Sequence, residues 1–184
     1  MNIPAEFDEI RPYAPEELPQ VYEELIADPM FQAVATQVMP GIPFDMLAAQ
    51  MRLCKTNLDF QKAFFYKLLK ELVKKCAKGI DFDCSAIQDK TNHYTFISNH
   101  RDIILDAAFL DILLVDEGMN TVEIAIGDNL LIYPWIKKIV RINKSFIVKR
   151  GLSLREQLQS SILMSKYIHF AATEKKENIW IAQR

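Results

Sequence analysis

In Tyr94-Thr95-Phe96-Ile97-Ser98-Asn99-His100-Arg101-Asp102-Ile103-Ile104-Leu105-Asp106, a short apolar run stops abruptly at Asn-His-Arg-Asp. A second carboxylate follows, and a strongly apolar segment begins behind it. A strand that delivers a histidine to its carboxyl end, just before a helix, occupies the place where open α/β sheets bind their ligands. A base, two acids and a helix N-terminus therefore meet within seven residues.

Downstream, strands and helices alternate. Tyr94–Ser98 reads as a strand, Ile103–Glu117 as an apolar helix ended by Gly118, and Val122–Ile126 as a buried strand. A short helix is expected over Leu130–Ile139, around Pro134, and a third strand over Ile142–Val148. Ser153-Leu154-Arg155-Glu156 is a capping box that opens a helix reaching Thr173, and Ile179–Ala182 is a last strand. Such alternation predicts an α/β fold with a mostly parallel sheet flanked by helices.

Upstream, helical signals dominate, so an N-terminal helical region (1–78) precedes the α/β domain (79–184). Residues 1–14 are polar and turn-like, which predicts a loosely held terminus. Pro15-Glu16-Glu17 suits a first helical turn, with Leu18, Tyr22, Leu25 and Ile26 as the apolar stripe behind it. Asp28-Pro29 reads as a cap and new first turn, with Phe31, Val34 and Val38 on the apolar side. After the break at Met39-Pro40-Gly41-Ile42-Pro43, a short helix carries Met46, Leu47, Met51 and Leu53. The clearest helix spans residues 57–77, with Phe60, Phe64, Leu68, Leu72 and Cys76 every four residues. Gly79 is its expected C-terminal cap, and its aromatic and basic faces also suit a bilayer surface.

Composition narrows the classes. The 184 residues are half hydrophobic and a quarter charged, enough for a packed core. A net charge of −2 argues against nucleic acid as a partner. Cys54, Cys76 and Cys84 are odd in number and lack ligand spacing, and the three histidines are scattered. They read as reduced thiols of a cytosolic protein with no metal centre. No apolar run reaches the roughly 18–20 residues of a membrane span, so any membrane contact is peripheral.

If Asp102 caps the helix, Asp106 lies one turn along the same face and leans toward the loop carrying His100. A carboxylate holding one imidazole nitrogen leaves the other to take a proton from a hydroxyl. The residues alone fit equally a surface histidine beside two capping acids. His93 precedes the strand and should lie at the sheet's other end, and His169 sits within the last helix as a structural residue.

Ser98-Asn99-His100-Arg101 with Leu105-Asp106-Ala107 resembles the first motif of the glycerolipid acyltransferase family, a His and an Asp separated by four residues. Here five intervene, and Leu105 stands at the acid's usual place; either the loop absorbs a residue and Asp106 serves, or Asp102 does. Lys144-Ser145-Phe146-Ile147-Val148-Lys149-Arg150 is similar to the second motif, an aromatic-rich strand ending in arginine. Lys144 stands where the family often has glycine. Asn129–Ile139, with Trp135, corresponds to a helix lining the family's acyl-chain groove, although spacing alone makes Tyr133 and Trp135 packing residues. The third motif, a Glu-Gly pair, should follow a strand like Ile179–Ala182, so the chain is expected to be truncated there or to be a divergent short member.

The resemblance covers roughly residues 70–184 and implies transfer of a fatty acyl group from acyl-CoA or acyl carrier protein to a glycerolipid hydroxyl. The acceptor would be lysophosphatidic acid or glycerol 3-phosphate, in phospholipid biosynthesis. It implies His100 as general base, Asp106 or Asp102 as its partner, and Arg150 on the acceptor phosphate near His100 if the two strands are parallel neighbours. Lys149, Lys144, Asn99 and Arg101 join the expected substrate-binding set. The thioester is a co-substrate and no cofactor is implied; the expected location is the inner face of the cell membrane. An amino-acid-containing lyso-lipid as acceptor, or a non-catalytic lipid- or partner-binding domain, are the alternatives.

Overall fold

The computed structural model describes residues 3–99, 101–102 and 105–183, the side chains of Cys76 and Gln183 excepted. The protein is α/β. Its described strands are β1 (Thr95–Asn99), β2 (Val122–Gly127), β3 (Ser145–Val148) and β4 (Asn178–Gln183). They form one all-parallel sheet in the order β1-β4-β2-β3. Parallel pairing puts all four carboxyl ends on one side of the molecule.

Helices connect the strands. α6 (Leu105–Asp116) leads from β1 to β2, α7 (Pro134–Ile142) from β2 to β3, and α8 (Leu154–Thr173) from β3 back to β4. Alternation along the strands divides the packing between two faces. Val122, Ile124 and Trp180 face α6, with Ala107 and Leu114 against them. On the other face Phe146 and Ile179 pack on Tyr167 and Ala171 of α8.

Upstream lie α1 (Leu18–Ile26), α2 (Pro29–Val38), α3 (Phe44–Leu53), α4 (Asn57–Phe60) and α5 (Lys67–Cys76). The expected long helix over 57–77 is present as α4 and α5 joined by a π-helical segment, Gln61–Tyr66. Thr56 and Asp59 form a capping box at its start. Leu18, Tyr22, Leu25, Phe31, Leu47, Met51, Phe60 and Phe64 bury together with Ile142 of α7. Asp28 Oδ1 accepts the Met30 and Phe31 amides, the expected cap.

Several boundaries and faces differ from expectation. Val34 and Val38 are exposed on α2, as are Met46 and Leu53 on α3, because the faces turned inward are those of Phe31 on α2 and of Leu47, Ala48 and Met51 on α3. Gly79 is not the cap of α5; Ala77 ends it in an extended conformation. Pro134 opens α7 rather than sitting inside it, and Ile142 ends that helix instead of starting β3. The N-terminal segment is tied down where a loose terminus was expected. Phe7 and Ile10 are buried against α8 and β3, and Ile10 O accepts the Ile147 amide. The buried Arg141 guanidinium donates to the carbonyls of Arg11 and Asp8 and lies 4.0 Å over the Tyr13 ring.

Candidate active site

The loop between β1 and α6 is built by two carboxylates that answer the backbone. Asp102 Oδ1 accepts the Leu105 amide at 2.8 Å, which caps the helix three residues on. Asp106 Oδ2 accepts the Arg101 amide at 2.7 Å and the Asp102 amide at 3.0 Å. The Asp106 carboxylate therefore reaches back over the loop, as the helical lean of its side chain requires. His100 lies outside the described residues, as do Ile103 and Ile104. Asn99 ends β1 and is exposed, and Arg101 carries an exposed side chain beside it.

Arg150 belongs to the carboxyl side of the sheet as well, but to a different part of it. Its amide donates to Asp128 Oδ1 at 2.9 Å, in the loop after β2. A Cβ on Gly127 would fall 2.4 Å from Asn129 Oδ1 and 3.5 Å from Arg150 Nε, so the glycine lets both side chains lie over the end of β2. The expected neighbourhood of β1 and β3 does not hold, since β4 and β2 lie between them. The reason is the long return through α8, which inserts β4 beside β1. About 10 Å, two strand spacings, separates the ends of β1 and β2.

The other cations have different places. Lys149 pairs with Glu9 of the N-terminal segment at 2.6 Å. Lys144 is corrected more sharply, because it sits at the amino end of β3, on the opposite side of the sheet from Arg150. It is 5% exposed, pairs with Glu177 at 2.6 Å and donates to Thr121 O at 3.0 Å. Its φ of 57° explains why glycine would suit this position. His93 precedes β1, at the amino side as expected, while His169 is exposed on α8.

A cavity of about 470 Å³ lies between α5, α6, α7 and the sheet. Leu68, Leu69, Leu72, Ala108, Ile112, Val115, Ile124, Ile126 and Ile139 are among the apolar residues of its wall. The volume is that of a small-molecule site. It begins at Leu105, the first described residue behind the His100 loop, and follows α6 to Val115, ten residues or about 15 Å further. Thr121, Asn143 and Ser145 place its other end at the amino ends of β2 and β3. Trp135 packs instead against Phe31 at 6.1 Å, and α7 reaches the cavity through Ile139 and Val140.

Asp111 also lines this cavity and accepts the Val122 amide at 2.8 Å. Burial pushes its carboxyl up to about 7, against the opposing pull of that hydrogen bond and of Lys144. A lone acid inside Ala107-Ala108-Phe109-Leu110-Asp111-Ile112-Leu113-Leu114 was the signal that could have singled it out. Among the described residues no group of three His, Cys, Asp or Glu side chains converges to hold a metal ion. The sequence matches no family model, and no curated protein matches it.

Proposed function

We propose that the chain is an acyltransferase domain that moves a fatty acyl group from a thioester, on coenzyme A or acyl carrier protein, to a glycerolipid hydroxyl. The observation that carries the reading is the apolar cavity starting at Leu105, directly behind the loop that bears His100. A slot of this shape suits an acyl chain whose thioester lies at that loop. His100 serves as general base on the acceptor hydroxyl, and Asp106, already folded over the loop, orients the imidazole and stabilises its cationic form. Deprotonated hydroxyl attacks the thioester carbonyl, and the thiol leaves with the proton. The Arg101 side chain in the loop and Arg150 over the end of β2 are cations on this side that suit an acceptor phosphate.

Arg150 can serve a phosphate only if the acceptor spans about 10 Å of sheet edge. That separation favours a second acceptor class, an amino-acid-containing lyso-lipid whose hydroxyl is placed without Arg150. Peripheral contact with the inner face of the cell membrane fits Ile132 and Leu154, which are 71% and 87% exposed near the same sheet edge. No described helix is long and apolar enough to cross a membrane.

The test is thioester consumption with lysophosphatidic acid, glycerol 3-phosphate and an amino-acid lyso-lipid as acceptors. His100→Ala is expected to lower turnover by about 10²–10⁴-fold. Full activity in that variant would sink the mechanism. Asp106→Asn should cost more turnover than Asp102→Asn, and the reverse order would make Asp102 the partner.

A further inference from the structure

Leu105, Ala108, Ile112 and Val115 line the cavity from one stripe of α6. Asp111 stands on that stripe, three residues after Ala108 and four before Val115. Its carboxyl is held but not closed off. Oδ1 accepts the Val122 amide, while no described residue donates to Oδ2. Asp111 is only half-buried, and Oδ2 remains open to whatever fills the cavity. The other charged and titratable groups nearby are engaged elsewhere. On α6 itself, Asp106 folds over the loop and Asp116 is held by Tyr66 and Lys70. From the π-helical segment, Tyr66 turns its hydroxyl to Asp116 and Lys62 is exposed. α5 and α7 present aliphatic side chains. Lys144, bonded to Glu177 and to the Thr121 carbonyl, pulls the carboxyl toward its charged form from a distance.

An apolar chain laid along this stripe covers Oδ2 and offers it no hydrogen bond. The cost falls on a carboxylate far more than on the neutral acid, because an ion loses more on leaving water. We propose that Asp111 decides when the cavity accepts an apolar chain, which binds with this carboxyl protonated and takes up a proton wherever the unliganded group is ionised. Burial in the wall already brings the carboxyl to about 7, so the switch falls near neutral pH. Below that pH the chain binds without proton exchange. Above it, affinity falls by up to about tenfold for each pH unit. The inference rests on the reading of the cavity as an acyl slot, but it concerns the wall and not the His100 loop.

Binding of a neutral ligand separates the two. N-phenyl-1-naphthylamine, an apolar fluorophore that stays uncharged from pH 6 to pH 9, is titrated into the full chain. It is expected to bind at least about tenfold more weakly at pH 9 than at pH 6. Asp111→Asn keeps an acceptor for the Val122 amide and cannot ionise. That variant should hold one affinity across the range, close to that of the wild type at pH 6. Calorimetry at pH 8 in two buffers of different ionisation enthalpy needs no variant, and should count about one proton taken up per probe. A pH-independent affinity, an unchanged slope in Asp111→Asn, or no proton uptake overturns the inference and leaves the acyl cavity standing. No binding at any pH overturns both. Proton-linked binding without thioester consumption removes the acyl-transfer reading alone.

Discussion

Asp111 is an acid kept in an apolar wall by one backbone amide and a distant lysine. Unfolded, its carboxyl titrates near 3.8; folded, it holds its proton up to about 7. The folded state thus binds the proton more tightly, so the contribution is full below about pH 4 and is lost as pH rises through 7. Asn in its place keeps an acceptor for the Val122 amide and carries no charge. Asp111→Asn is therefore expected to gain on the wild type as pH rises from 5 to 8, by about 2–3 kcal/mol. Urea unfolding at the two pH values measures it, and parallel pH dependence of both proteins would refute it. At this scale the sequence was partly legible. The pair Asp102 and Asp106 could be placed from helical spacing, because a cap and a lean are local. Asp111 stands out as a lone acid in an apolar run, but its place could not be read, since that depends on walls supplied by α5, α6 and the sheet.

The turn between α7 and β3 shows how an element can be read correctly in kind and wrongly in role. Residues 144–150 do form a strand and its exit, yet Lys144 belongs to the entry, at positive φ and buried beside Glu177. Removing the ammonium leaves a largely buried carboxylate and the Thr121 carbonyl without their donor. Lys144→Ala should destabilise the fold by about 3 kcal/mol. Lys144→Gly should cost about 1 kcal/mol less, because glycine adopts this backbone without strain. Thermal unfolding ranks the two, and an equal loss would remove the backbone part of the argument. Periodicity also gave the helix over 57–77 but not the π segment inside it. Phe60, Phe64, Leu68 and Leu72 keep their spacing of four, so nothing in the pattern announces the bulge. Phe60 and Phe64 enter the helical core, while Leu68 and Leu72 line the cavity.

Across the whole molecule the two sheet edges are unlike. The β3 edge is closed by the N-terminal segment, which Arg141 clamps through two carbonyls. That closure was invisible in the sequence, because residues 3–14 look polar although Phe7, Ile10, Arg11 and Ala14 are buried. β1 forms the opposite edge and is exposed along most of its length, with Ile97 60% exposed. Amides of β1 should exchange with deuterium about 10-fold or more faster than those of β2 in native-state measurements. Comparable protection would mean that the edge is held by more than β4. The α/β class was legible from the alternation of strands and helices, whereas strand order was not. Alternation fixes which elements exist, and the lateral placement of each strand depends on which face its connecting helix packs against.

The order β1-β4-β2-β3 has a bearing on how the protein is made. β1 has β4 as its strand partner, and Tyr94 and Asn178, which meet at the start of that pairing, are 84 residues apart. β2 and β3 can pair across α7 as soon as both have left the ribosome, but β1 must wait for the last strand of the described chain. Parallel pairing over such a distance is slow to form and exposes apolar surface meanwhile. The strand that delivers His100 is thus the last to be seated during synthesis, and the proposed active site comes together only when the rest of the sheet is already in place.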